Sequence, residues 1–261
     1  MFAVPTPALA EHGSHTAEEG RPVAPDPLSY AVDGSRVLVA DARSALVGEL
    51  RADGTIQPIV AGVPGLSGLA TRDGWMAYGS SIHAGSVSSG PGPASGLNIR
   101  DRDGAVRYVD LYAFERATNP DGAVTYGVTD PTSCAVGARC RGRVGSLAHV
   151  VASRPGGWLV ADAGANSVLM VTDSGEISTL AVLPSVEVVL TAELAVRFGL
   201  PACAVGDTIL MEPVPTGVSG GHGGPVYVSA SPAGIGEESM VWRIDVETRE
   251  VTRLPVRGAV R

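Results

Sequence analysis

The chain contains no lysine. All 19 of its basic residues are arginine, set against 27 acidic residues, for a net charge of −8 over 261 residues. An acidic chain with scattered Arg is ill suited to phosphate backbones, so nucleic acid is not an expected partner. The densest basic cluster, Arg139, Arg141 and Arg143, covers only five residues and reads as an exposed loop. No run of about 18 apolar residues occurs, so no segment is built to span a membrane as a helix. Cysteine is scarce at three residues, with no C-x-x-C and no Cys/His set at zinc-ligand spacing. A serine nucleophile elbow, a phosphate loop and a dinucleotide fingerprint are all missing. Charged residues are only 18% and hydrophobic ones 44%, a composition that buries a core.

Glycine and proline are abundant instead. The 34 Gly and 19 Pro make up about a fifth of the chain, well above the ordinary share of roughly 12%. Breakers at that density among short apolar runs predict short strands joined by tight turns and exclude a helical bundle or coiled coil.

The strongest positive signal is internal repetition. Residues 28–41 and 147–162 each hold an apolar strand, a Gly-bearing turn and a second strand ending Leu-Val-Ala-Asp, at Leu38–Asp41 and Leu159–Asp162. Each is followed by two further strand-like runs separated by Asp53-Gly54 in the first copy and Ser174-Gly175 in the second. Weaker copies run from Leu66 to Val109 and from Thr216 to Leu254. Asp-Gly and Gly-Gly pairs fall where hairpins require positive φ. Units of four short strands, repeated about every 40 residues, predict an all-β chain folded as a β-propeller of four-stranded antiparallel blades. The predicted blades cover about 27–63, 64–111, 145–184 and 214–256, within one domain over 27–261. Insertions at 112–144 and 185–213 interrupt the repeat and read as rim loops or peripheral decoration, with the stretch Val186 to Phe198 expected to form a short helix.

The N-terminus ends a short apolar stretch with Ala8-Leu9-Ala10, the small-x-small pattern of a signal-peptidase site, followed by a polar, Pro-rich linker to residue 26. This predicts a signal-peptide remnant with a disordered linker and export to the cell envelope or medium; the alternative is a disordered N-terminal tail. In an oxidising compartment a Cys134–Cys140 bridge is the expected pairing, with Cys203 as the alternative partner of either.

Four residues are candidates for a ligand site facing the central channel. Asp41 and Asp162 end equivalent strands, Asn166 follows Asp162 by four residues, and His149 lies in an apolar strand. The alternative role of the two Asp is to accept N–H groups in the next turn. That of Asn166 is a left-handed corner, and that of His149 is packing. No Asp-Gly turn carries the spaced oxygen ligands and closing Glu of a calcium loop. No cofactor is therefore expected, with Ca2+ considered only if the channel is catalytic.

Three segments carry a resemblance to a known family. They are Asp110 to Gly122, Asp162 to Leu169 with Gly175 and Ile177 to Pro184, and Met211 to Val218 followed by Val226-Tyr227-Val228. In this order they resemble the ScyD/ScyE family of NHL-like β-propellers, named after the scytonemin pigment cluster and widespread in actinobacteria. The resemblance implies an exported six-bladed propeller with no established reaction. This chain departs from it: four blades are visible, the C-terminus comes where two more would follow, and Gly221 to Gly224 replaces a Pro-Asp-Gly turn. The chain either closes as a compact four-bladed ring or, the preferred reading, is a shortened relative, and it is expected to act as a binding or scaffold module for a protein or small-molecule ligand. The alternative is a lactonase- or lyase-like enzyme with a metal or histidine in the channel.

Overall fold

The computed structural model describes residues 27–81, 95–220, 223–232 and 239–255. The predicted leader and linker at 1–26 lie outside the described residues.

The chain is all-β with five four-stranded antiparallel sheets. Four of them have their strands in sequence order and are the blades of a β-propeller. Blade one comprises β1 (Pro27–Asp33), β2 (Arg36–Asp41), β3 (Leu46–Leu50) and β4 (Ile56–Ala61). Blade two comprises β5 (Leu66–Arg72), β6 (Trp75–Ser81), β7 (Ser95–Arg100) and β8 (Val106–Asp110). A helix, α1 (Leu111–Thr118), and a hairpin, β9 (Thr125–Val128) with β10 (Cys140–Arg141), precede blade three. Blade three is β11 (Ala148–Arg154), β12 (Gly157–Asp162), β13 (Ser167–Thr172) and β14 (Ile177–Val182). A second hairpin follows, β15 (Val186–Val189) and β16 (Thr208–Met211), with α2 (Ala192–Arg197) between its strands. Blade four is β17 (Pro213–Gly220), β18 (Val226–Pro232), β19 (Met240–Ile244) and β20 (Val251–Leu254).

The two Leu-Val-Ala-Asp runs are the second strands β2 and β12. Both sit inside their sheets and have both faces covered, so hardly any polar alternation survives in them. They occupy the same register, with Asp41 opposite Leu46 and Asp162 opposite Ser167. Each first strand carries a register shift near its start, at Leu28, at Ser67-Gly68, at His149 and at Thr216. Such bulges bend the strand and raise its twist.

The first strands of consecutive blades pack side by side, β1 on β5, β5 on β11 and β11 on β17. Apolar residues fill the seams between sheets. Leu38 and Val47 of blade one meet Leu69 and Tyr78 of blade two. Leu97 and Ile99 of blade two meet Trp158 and Leu169 of blade three. The Arg72 side chain bolts the second seam: it lies 5.1 Å over the Trp158 ring, donates to the Gly157 carbonyl at 3.0 Å and grips both Asp173 oxygens at 2.7 and 2.8 Å. Among the described residues no buried apolar cluster joins blade four to blade one.

The insertions prove to be more than rim loops. Their two hairpins pair through β9 and β16 into a fifth sheet of order β10-β9-β16-β15. Its Val128, Ile209 and Val186 share one apolar cluster with Leu159 and Leu180 of blade three and Val228 and Trp242 of blade four. The segment 186–198 divides between β15 and α2 rather than forming a single helix.

The disulfide also differs from expectation. Cys134 is joined to Cys203, with Cα atoms 6.4 Å apart, and Cys140 is a free, exposed thiol. Pairing of β10 with β9 holds Cys140 in the sheet, opposite Tyr126, while the loop carrying Cys134 is drawn to the loop after α2. The side chain of Ser133, next to Cys134, reaches Asp207 across the same junction at 2.5 Å.

An ideal Cβ on Gly68 lies 2.5 Å from the Val151 nitrogen and 2.6 Å from the Val150 Cα, both backbone atoms of the next blade. Gly68→Ala is expected to lower stability by about 2 kcal/mol or more in chemical denaturation. Gly137→Ala, with open space around it, stays within about 0.5 kcal/mol of wild type. Cys134 and Cys203 are 69 residues apart, so the double Ser variant is expected to lose about 4 kcal/mol by the chain-entropy account. Non-reducing peptide mapping should recover the 134–203 cross-link.

Candidate functional site

Asp162 is fully buried, and both of its oxygens are occupied. Oδ1 accepts from the backbone N–H groups of Leu147 (2.7 Å), Gly164 (3.0 Å) and Ala165 (3.3 Å), and Oδ2 accepts from the Ser146 hydroxyl at 2.6 Å. Asp41 does the same in blade one, accepting from Arg43 N (3.0 Å), Ser44 N (3.1 Å) and the Ser44 hydroxyl (3.0 Å). Each carboxylate organises the corner into the third strand of its blade. The corners end in a left-handed residue, Ala45 (φ 53°) in blade one and Asn166 (φ 48°) in blade three, whose carbonyls accept from Val63 and Leu183 at 2.9 Å. His149, in the bulge of β11, is exposed.

Asn166 does something Ala45 cannot. Its side-chain Nδ2 donates to Asp121 Oδ2 at 2.9 Å and reaches the Tyr126 oxygen at 3.3 Å, and the Tyr126 hydroxyl donates to Asp121 Oδ2 at 3.1 Å. Helix α1 delivers Asp121. Asp110 caps the helix, accepting from Ala113 N at 2.8 Å, and Asn119 closes it in a left-handed conformation (φ 39°), its N–H donating to the Glu115 carbonyl at 2.7 Å. Leu111 and Glu115, one turn apart on the same face, are both buried. Asn119 Nδ2 donates to the Gly142 carbonyl at 3.4 Å. An ideal Cβ on Gly142 falls 2.2 Å from Asp121 Oδ1, so only glycine lets this loop lie against the carboxylate.

The result is a buried polar cluster between α1, the fifth sheet and blade three. Its members are Glu115 (1% exposed), Asp121 (1%), Asp162 (0%), Asn166 (2%) and Tyr126 (3%), with Asn119 and Glu212 at the margin. It contains members of all three segments that carry the family resemblance: Glu115, Asn119 and Asp121 from the first, Asp162 and Asn166 from the second, Glu212 from the third. Four of its oxygens, Glu115 Oε1, Asn119 Oδ1, Asp121 Oδ1 and Asn166 Oδ1, have no hydrogen-bond partner. Burial pushes the Glu115 carboxyl up to about 7, helped by the Asp162 and Asp121 charges and opposed by the Gly145 N–H. Burial likewise raises Glu212 and Asp162; Asp121 adds to the rise at Glu212, the Arg143 charge opposes it, and the hydrogen bonds to Asp162 oppose that one. Burial and the Asp121 charge hold the Tyr126 hydroxyl far above the ordinary tyrosine range, so it acts as a donor.

Of the four sequence candidates, the structure thus places Asp162 and Asn166 at this cluster, Asp41 in the equivalent corner of blade one, and His149 on the surface. Glu115, Asn119, Asp121, Tyr126 and Glu212 were not singled out from the sequence. The one signal that could have found any of them is the four-residue spacing of Leu111 and Glu115, which puts both on one face of a helix. A shallow cavity of about 390 Å³ opens elsewhere, lined by Thr125, Arg139, Cys140 and Arg141.

No family model matches the sequence, and no curated protein matches it. Solved structures similar to the chain include the nidogen/laminin complex, at 11% identity and a TM-score of 0.49 over 86% of this chain and 61% of that one. A protein of unknown function from Bacteroides caccae matches at 11% identity and a TM-score of 0.47, over 89% and 62%. A virginiamycin B lyase from Staphylococcus aureus matches at 15% identity and 0.40, over 89% and 70%. The chain spans less than two thirds of the length of the first two.

The Glu115 environment gives a pH signature. Its carboxyl ionises near 4.5 in the unfolded chain and about 7 when folded, so the native state holds more protons across that interval and stability falls as pH rises through it. At one group this amounts to at most about 3 kcal/mol. In chelator-containing buffer, Glu115→Gln is expected to unfold at a higher temperature than wild type at pH 8, with the gap narrowing towards pH 5.

Proposed function

We propose that this protein is an exported, non-catalytic β-propeller module that binds a protein or small-molecule ligand or serves as a scaffold. The observation that carries this reading is the saturation of Asp41 and Asp162. A channel enzyme needs carboxylates with free lone pairs beside the substrate, whereas these two are spent on turn N–H groups and serine hydroxyls. His149, the histidine of the rival lactonase- or lyase-like reading, is exposed on a bulge, and among the described residues it has no side-chain hydrogen bond to orient it. The Cys134–Cys203 bridge supports residence in an oxidising compartment.

Purified protein, assayed with calcium against a panel of lactones, esters and cyclic depsipeptides, is expected to give no turnover above buffer, and His149→Ala is expected to change nothing. Turnover that scales with protein concentration would overturn the non-catalytic reading. Fractionation of the producing cells should recover the protein in the envelope or medium; recovery in the cytosol would overturn export.

A further inference from the structure

We propose that Glu115, Asn119, Asp121 and Asn166 form a binding site for a hard divalent cation of the calcium class, at the junction of α1 with the β12–β13 corner. The inference is independent of whether the propeller is catalytic, because a cation here would be structural.

The donors in this cluster are already committed. Tyr126 and the Asn166 Nδ2 both serve Asp121 Oδ2, and Asn119 Nδ2 serves the Gly142 carbonyl. These bonds fix which end of each amide is free: in Asn119 and Asn166 it is the oxygen. What is left over is therefore of one kind, two carboxylate and two carboxamide oxygens without partners, on side chains of which Glu115, Asp121 and Asn166 are 98–99% buried. Leaving a single buried acceptor unpaired is costly, and leaving a charged one unpaired is costlier. The surrounding charge has the same sign, since Asp162 and Asp121 both lie close enough to act on Glu115, and Asp121 close enough to act on Glu212. The nearby arginine, Arg143, is exposed and acts on Glu212. Asn166 is bonded to Asp121 at 2.9 Å, Asn119 Nδ2 and Asp121 Oδ1 both lie against Gly142, and Glu115 stands one helical turn before Asn119, so these leftover oxygens are neighbours, and the partner they lack is a positive species that accepts oxygen ligands.

The chemistry of the donors selects the ion. The four are all oxygen, with no sulfur or imidazole, which suits calcium rather than zinc or copper. Among the described residues no three His, Cys, Asp or Glu side chains converge as a metal set. The site instead mixes two carboxylates with two amides, and calcium, which takes six to eight oxygens, would complete its shell with backbone carbonyls or water. A cation held there would tie the end of α1 to blade three and favour the folded state by mass action.

The test uses the full chain freed of metal by chelation. Calcium is expected to raise the unfolding temperature by several degrees. Terbium is expected to give tyrosine-sensitised luminescence, because Tyr126 touches Asp121, and calcium should quench it by competition. Asp121→Asn and Glu115→Gln, each checked for native circular dichroism, should weaken both responses at least tenfold. If Asp121→Asn does not fold, Glu115→Gln decides. Wild type indifferent to calcium, or a response retained in the folded variants, would overturn the site.

Discussion

The architecture around blade three depends on one carboxylate. Asp162, with no access to solvent, gathers three backbone N–H groups and a hydroxyl from two stretches of chain, the corner at 163–166 and the approach to β11 at 146–147. A carboxyl group is tolerated in a site closed to solvent when N–H and O–H donors take up its oxygens in this way. Once that corner is fixed, Asn166 has a defined direction, and it is Asn166 that connects the blade to Asp121 and the end of α1. Blade one builds the same corner with Asp41 but places Ala45 at its end, so the corner there stops at holding its own sheet together.

The blades were legible because their determinants are local. A second strand buried on both faces must be apolar throughout, its hairpin needs a residue tolerant of positive φ, and an Asp after Leu-Val-Ala closes the next corner; all three signals lie within some 15 residues. The fifth sheet was not legible. Its hairpins come from segments separated by the whole of blade three, β10 is only two residues long, and neither hairpin has a repeat partner elsewhere in the chain. The cysteines misled for the same reason. Short spacing favours Cys134 with Cys140, but strand pairing assigns Cys140 to the sheet and leaves Cys134 facing a loop far along the chain. For the cluster, Asp162 and Asn166 could be found by comparing repeats, whereas Glu115, Asp121 and Glu212 come from non-repeating segments, where only the three-dimensional arrangement puts them together.

This separation carries a functional lesson. Asp41 and Asp162 are consumed in building blades, and four of the seven unpartnered buried side-chain atoms among the described residues gather where non-repeating chain meets one particular blade. Symmetry-breaking excursions, rather than the shared axis of the sheets, hold most of the uncommitted chemistry among the described residues.

The interleaving of the fifth sheet with blade three also governs how the chain can be assembled in time. As it emerges from the N-terminus, β9 and β10 appear before blade three exists, and β16, the neighbour of β9, appears only after blade three is complete. Throughout that interval the nearest thiol to Cys134 is Cys140, and Cys203 has yet to be made. A nascent chain entering an oxidising space would pass through a window in which the wrong ring closes most readily, and the native bridge would then form when the Cys203 thiolate attacks the Cys134 sulfur and expels Cys140 as its thiolate.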